Sequence, residues 1–180
     1  MSFRELKYLV ADPTLHPDPA IGMWLWALND ARRRTNLILH DLPAEAIDWR
    51  PAGSAQSIGS ILYHLALIEA DWLYTEVLEQ PLPDQLAALF PYDARDQHGL
   101  LTAIHGVTLD QHLARLDTVR QHILATYRAM DLHDFRRVRH LPDYDVTPEW
   151  VLHHLTQHEA EHRSEIAALR ASAGPTSHVK

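Results

Sequence analysis

Apolar residues recur at helical spacing in four long stretches of the chain, and strand-like alternation nowhere extends beyond a few residues. The first stretch covers residues 18–42. The second covers residues 57–79, where apolar side chains surround most of the helix and predict deep burial. The third begins after Thr108, a predicted N-cap, and ends near Asp131. The pattern predicts an all-α four-helix bundle.

The fourth predicted helix has the best-defined start. Thr147, Pro148 and Glu149 fit an N-cap, a first-turn proline and a first-turn acid. Long connections precede the third and the fourth helices. The connection at 81–107 contains three prolines and two glycines, which argue against a continuous helix, and a loop of this length is often functional.

The composition is that of a single helical domain. With 180 residues, of which 46% are hydrophobic, the chain is long enough for one full core and too short for two. We predict one bundle domain at residues 1–172 and a flexible tail at 173–180, where the sequence is polar and turn-prone. Cysteine is absent, so any metal must be bound by imidazole and carboxylate groups.

Charge and hydropathy limit the partners. The first residues form no apolar signal segment, and no apolar run approaches the roughly 18 residues of a membrane span. We therefore expect a cytoplasmic protein without membrane contact. The net charge is −8 and the arginines are scattered among acids, which disfavours nucleic acid as a partner. A small molecule is the expected ligand, and exposed apolar residues on the first or third helix could support a homodimer.

Histidines are placed four residues apart on the predicted fourth helix. His154, His158 and His162 therefore share one face, and the last two can present their imidazoles to a single ion. The apolar residues Val151 and Leu155 lie on the same stripe, so this face is expected to point into the core.

A further histidine on the second predicted helix lies in an apolar setting. His64 is flanked by Ile61, Leu67 and Ile68 and should be withdrawn from water. Taken alone, such a residue is usually a hydrogen-bonded core histidine. Three inward imidazoles need a partner for each ring, however, and a shared cation satisfies one nitrogen on each. The spacing predicts a metal site formed by His64, His158 and His162.

Two other metal motifs overlap the same helix. His158 and His162 match HExxH, the zinc-protease motif, but little chain remains for a third ligand, and Glu165 and Ala168 stand where the metzincin extension has glycine and histidine. Glu159 with His162 matches the ExxH of di-iron bundles, which require a second such pair that the sequence lacks. Both interpretations are disfavoured.

Two segments carry a resemblance to a known family. WRPAGSAQSIGSILYHLALIEADWLY, at 49–74, and HLTQHEAEHRSEI, at 154–166, resemble the second and fourth helices of the DinB/YfiT-like superfamily of four-helix metalloenzymes. The resemblance implies a four-helix bundle in which one histidine of helix two and an HxxxH pair of helix four hold a divalent metal. Transferred to this chain, the ligands would be His64, His158 and His162.

The chain departs from the family pattern after the second histidine of the pair. Many members continue with Arg-Gly-Gln, whereas Arg163 is followed here by Ser164 and Glu165. Glu165 could orient His162, pair with an arginine or act as a general base. We further expect Glu159 and His154 to contact the ligand histidines rather than the ion itself. His154 could instead be a fourth ligand.

The predicted site suits catalysis by a metal ion. Three neutral imidazoles leave coordination positions for water or substrate and fit Zn, Ni or Fe about equally. Hydrolysis and thiol transfer are the natural reactions. The resemblance favours transfer, since relatives use thiols such as bacillithiol, mycothiol or glutathione. We expect a metal-dependent thiol S-transferase or related transferase or hydrolase that acts on a small molecule. The alternative is a structural ion without catalysis.

Substrate contacts are predicted from loop position. Phe90, Tyr92 and Arg95 in the 81–107 connection could form one wall, and the basic segment with Arg136, Arg137 and Arg139 another. The alternatives are a satellite hydrophobic cluster for the aromatic residues and a solvated surface for the arginines.

Overall fold

The computed structural model describes residues 10–52 and 56–173. Four long helices dominate it, and the all-α prediction is confirmed. The helices, numbered in chain order, are α1 (Pro19–Leu39), α2 (Ile58–Asp71), α3 (Asp84–Ala87), α4 (Leu109–Arg128), α5 (Leu132–Arg136) and α6 (Pro148–Ala173). Short 3-10 turns at Pro13–Leu15 and Ala44–Ala46 precede α1 and α2.

Side-chain caps fix the starts of the long helices. The Asp18 carboxylate accepts from the backbone N–H of Ala20 at α1, and the Ser57 hydroxyl accepts from that of Ser60 at α2. Thr108 starts α4 with a capping box, as the sequence indicates, and Thr147 accepts from the third residue of α6. The long helices end earlier than predicted: α1 ends at Leu39 and α4 at Arg128.

The second helix departs most from its prediction. After Asp71 it continues as a π-helical segment, Trp72–Val77, in which the Leu78 N–H donates to the Leu73 carbonyl five residues back. The chain then turns away at Glu79, whose φ of 53° lies in the left-handed region. The hydrophobic pattern of residues 57–79 does not reveal the π geometry, because apolar side chains surround most of this helix and leave no narrow stripe whose change of register would mark it.

Short elements lie in the long connections, among them α5 between α4 and the strands. The helix α3 occupies part of the connection between α2 and α4. Strands β1 (Arg139–His140) and β2 (Asp145–Val146) pair antiparallel before α6, with Arg139 opposite Val146. Strands of two residues are too short to produce a detectable alternation, so the sequence does not predict this hairpin.

Helices α2 and α6, which carry the predicted metal ligands, pack against each other in the bundle. α1 lies along α6, and α2 lies along α4. Arg170 of α6 donates to the carbonyls of Ile38 and His40 and so closes the C-terminus of α1. One apolar cluster with members on all four long helices forms the core.

An ionic cluster of four side chains, one from each long helix, lies inside this core. Arg32 binds both Glu69 and Glu159 at 2.8 Å, and Arg120 contacts the same two carboxylates. None of the four side chains is more than 7% exposed. We call this cluster the ionic quartet. Arg32 is followed directly by Arg33 and Arg34, which pair with Asp30 at the surface, so its place in a run of three arginines does not mark it as buried.

The described part of the chain ends at the start of the predicted tail. Of the predicted tail at 173–180, residues 174–180 lie outside the described residues, and Ala173 is the last residue of α6. Within the described part of the chain, no helix is both long and apolar enough to cross a membrane.

Candidate metal centre

Three imidazoles converge between α2 and α6. His64 comes from α2, and His158 and His162 come from adjacent turns of α6. Their ring centroids are 5.1, 5.1 and 4.6 Å apart, and one nitrogen from each ring lies within 4.8 Å of the others. The structure thus brings together the three residues that the sequence predicts as ligands.

Burial keeps two of these imidazoles neutral. His64 is 3% exposed, and the other two are partly buried. Burial, with a further contribution from His162, lowers the pKa of His64 to about 4 and that of His158 to about 3. Their nitrogen lone pairs are therefore available to a cation at neutral pH.

A carboxylate orients the third imidazole. The Nδ1 atom of His162 lies 2.8 Å from a carboxylate oxygen of Glu165. Because the carboxylate can only accept, Nδ1 carries the proton in this contact, and the Nε2 lone pair is free to bind an ion. This is the orienting role among the three considered for Glu165.

The residues present fit a divalent metal. The Nε2 atoms of His64 and His158 are 3.2 Å apart. Two nitrogen ligands of one tetrahedral ion, with bonds of roughly 2.0–2.1 Å, lie about 3.3–3.4 Å apart. A set of three imidazoles without thiolate suits zinc, nickel or iron alike. These three histidines could hold a metal ion.

His154 and Glu159, which the sequence predicts to support the ligands, lie on different faces of α6. The His154 ring lies 5.7 Å from His158 and stacks on Trp150 at 5.2 Å, but its nitrogens do not belong to the close group of ligand atoms. Glu159 is not beside the ligands as expected, because it belongs to the ionic quartet. Although burial opposes ionisation there, Arg32 and Arg120 hold the pKa of Glu159 below its usual value.

The predicted aromatic contacts form a cluster of their own. Phe90 packs edge-on against Tyr63, and the Tyr63 hydroxyl donates to the carbonyl of Tyr92 at 2.6 Å and accepts from its N–H. This arrangement agrees with the alternative of a satellite hydrophobic cluster. Arg95 donates to the Gly99 carbonyl, and its charge contributes to the lowered pKa of both His64 and His158. It therefore acts on the site electrostatically.

The three arginines before α6 have partners of their own. Arg136 pairs with Glu149 and Arg137 with Asp134, and both are about half exposed. Arg139 is 2% exposed and binds Asp134 and backbone carbonyls. The first two match the alternative of a solvated surface, and the third supports the hairpin.

The sequence analysis did not predict an aromatic cavity beside His154. Trp72, Tyr144 and Trp150 line a cavity of about 580 Å³. These residues lie on the π-helical segment, the hairpin and α6, and no local pattern connects them. The sequence does show three large aromatic residues, Trp72, Tyr144 and Trp150, in or next to the two helices that carry the predicted ligands.

A comparison with protein-family models gives a match over most of the chain. The family model described as the DinB superfamily matches residues 27–166, a range that contains all three histidines and the whole ionic quartet. The chain belongs to the DinB superfamily. No curated protein matches it. For a DinB-superfamily chain, a three-histidine site between α2 and α6 is in line with metal binding.

Proposed function

We propose that this DinB-superfamily chain is a divalent-metal-dependent enzyme that acts on a small molecule, most specifically a thiol-dependent S-transferase. A related transferase or hydrolase is the broader form of the proposal. The observation that carries it is the convergence of His64, His158 and His162 at the edge of the core, with the lone pairs of His64 and His158 free at neutral pH.

A dipositive ion held by three neutral imidazoles supplies open coordination positions and lowers the pKa of a bound water or thiol. The chain's own residues prepare the site for it. Burial of His64 holds its ring in place within the bundle, and the Glu165 carboxylate fixes the proton of His162 on Nδ1. Glu165 is 45% exposed and can exchange protons with water.

Support for a thiol comes from the family resemblance and from charge. Glutathione and bacillithiol carry carboxylates, and Arg95 is a cation whose field reaches His64 and His158. A carboxylated thiol near the site would therefore meet a favourable charge. We propose Arg95 as a contact for the thiol.

A structural ion that ties α2 to α6 is the alternative. The ionic quartet already connects these two helices with α1 and α4, so the bundle has a buried cross-link of its own. This favours a catalytic role for the ion.

Metal content and thiol transfer test the proposal together. Elemental analysis of the untagged protein should find about one divalent metal per chain, and His158→Ala should lose it. His133→Ala, an exposed histidine on α5, is the matched control. Glutathione, bacillithiol and mycothiol are then assayed with 1-chloro-2,4-dinitrobenzene, in which a C–S bond forms and chloride leaves.

We expect metal-dependent transfer with at least one thiol, lost in His158→Ala and retained in His133→Ala. Transfer that persists in His158→Ala would overturn the proposal. Stoichiometric metal without transfer or hydrolysis of any substrate tested would support the structural role.

A further inference from the structure

The cavity beside His154 has the properties of a built binding site. Its volume of about 580 Å³ falls within the range of small-molecule pockets. Trp72, Tyr144 and Trp150 form its aromatic walls, and Val138 and Val146 add apolar surface. Tyr144 and Trp150 are nearly half exposed, which is unusual for such large rings in a folded domain.

The aromatic walls are inclined to Trp72 by about a third of a right angle. Trp72 lies 6.3 Å from Tyr144 at an interplanar angle of 30°, and 5.4 Å from Trp150 at 34°. Rings in this arrangement present flat faces in similar directions, and a flat ligand can stack on them. The geometry favours a planar aromatic group over a bulky aliphatic one.

The walls are held in place before any ligand arrives. Trp72 begins the π-helical segment, a geometry that often occurs at functional sites. From the same segment, the buried carboxyl of Glu76 accepts a 2.9 Å hydrogen bond from the Tyr144 hydroxyl. The tyrosine ring is therefore fixed although it is exposed.

The charges around the cavity are mainly negative. Asp145 lines it, and the charges of Asp71 and Asp143 contribute, after burial and the hydrogen bond to Glu76, to raising the pKa of Tyr144 to about 12. None of the lining residues, all in the described part of the chain, is Lys or Arg. Asp145 contacts His140 at 2.8 Å, and the nearby arginines of the hairpin region are paired with acids.

One imidazole connects the cavity with the metal centre. The His154 ring lies 4.3 Å from Trp72, stacks on Trp150 at an angle of 6°, and stacks on His158 at 5.7 Å. A molecule in the cavity is thus separated from the metal ligands by a single side chain.

We infer that this cavity binds a planar aromatic cation, as the recognition element of the substrate of the metal centre. The electron-rich faces of two indoles and a phenol attract a cation, and the surrounding carboxylates add to that attraction. The same groups repel an aromatic anion. That this cation is part of the substrate rests on the proposed function. That the cavity binds a planar aromatic cation does not depend on it.

Binding of a charge-matched series tests the inference on the full-length protein. The probes are 1-methylquinolinium, the uncharged 1-methylnaphthalene and the anion 1-naphthoate, followed by tryptophan fluorescence and calorimetry. We expect the cation to bind at least tenfold more tightly than the neutral probe, and the anion to bind more weakly than both. Equal affinity for all three, or a preference for the anion, would overturn the inference.

Variants of the walls locate the binding site. Trp150→Ala should weaken binding of the cation at least tenfold, whereas Trp150→Phe keeps a ring and should lose much less. Asp145→Asn should reduce the preference for the cation over the neutral probe. Trp26→Ala, on α1 and outside this cavity, is the matched control. An unchanged affinity in Trp150→Ala that still unfolds cooperatively would contradict the assignment.

The same titration in His158→Ala separates the two proposals. Probe binding that survives this substitution, together with loss of metal and of thiol transfer, supports both. Probe binding without any metal-dependent reaction leaves the cavity assigned and the proposed function wrong. Thiol transfer without preferential binding of the cation would support the proposed function and overturn the assignment of the cavity.

Discussion

At the scale of single residues, the metal centre depends on three imidazoles that two helices distant in the sequence bring together. Spacing and apolar surroundings predicted that His64, His158 and His162 face a common interior, and the structure brings them within reach of one ion. The surroundings of Glu159 were not predictable, because its partners Arg32 and Arg120 lie on helices distant in sequence. Helical periodicity predicts which face of a helix is buried. It does not predict which residues of other helices contact that face.

The contact between His162 and Glu165 leads to a prediction on metal affinity. Removal of a carboxylate that orients a metal-binding imidazole typically costs about 10- to 100-fold in affinity. We expect Glu165→Ala to bind zinc about 10- to 100-fold more weakly in competition with a chromogenic chelator. Glu161→Ala, an exposed acid of the same helix, is the control and should bind zinc normally. Equal affinities of the two variants would contradict an orienting role.

Glu76 gives a pH-dependent prediction on stability. Burial raises its pKa to about 7 from the ordinary value of 4.5, and one of its oxygens has no hydrogen-bond partner among the described residues. Between these two values the folded protein binds more protons than the unfolded chain, so the contribution of Glu76 to stability falls as the pH rises and is lowest above pH 7.

The Glu76→Gln variant removes that ionisation and can still accept from Tyr144. We expect it to be more stable than the parent at pH 8.5 by roughly 1 to 3 kcal/mol, from about 1.36 kcal/mol per pKa unit, and to show a much smaller difference at pH 5. Urea unfolding at the two pH values measures this. The same difference at both values would show that Glu76 does not titrate in this range.

At the scale of elements, side-chain caps were predictable and irregular geometry was not. Thr108 and Thr147 mark helix starts in the sequence because a hydroxyl that accepts from a nearby N–H is a local interaction. The π-helical segment and the two-residue hairpin depend on packing against other parts of the chain. These two unpredicted elements carry Trp72 and Tyr144, so the aromatic cavity also escaped prediction.

The ionic quartet gives a prediction at this scale. Arg120→Met leaves two buried carboxylates with a single arginine, and breaking a buried ion pair typically costs about 3–5 kcal/mol. Denaturant unfolding should show a loss of this size. The control Arg34→Met removes a half-exposed partner of Asp30 and should cost at most about 1 kcal/mol. A similar, small loss in both variants would mean that the quartet does not stabilise the fold.

At the scale of the whole molecule, metal binding and folding are linked. His64 belongs to α2 and the other two ligands to α6, so the complete site exists only when these helices are packed. A ligand that binds only the folded state stabilises it by about 2.7 kcal/mol at a concentration of 100 Kd. Zinc should therefore raise the midpoint of thermal unfolding, and a chelator should reverse the effect.

The linkage has its own control. In His158→Ala the zinc-induced increase should disappear, whereas His133→Ala should keep it, and calorimetric scans of both variants with and without zinc provide the measurement. An equal increase in both would place the stabilising ion elsewhere.

His158 and Glu159 are consecutive residues of α6, one at the metal centre and the other in the ionic quartet. Each residue added to a helix turns the following side chains by about 100°. An insertion of one residue within the first three turns of α6 would therefore move His158 to the position of Glu159, so that an imidazole faces two guanidinium groups and the carboxylate turns away from them. A deletion would place Ala160 at that position and leave the two guanidinium groups without this carboxylate. Changes in the length of this chain should be tolerated in the connections and rejected inside α6.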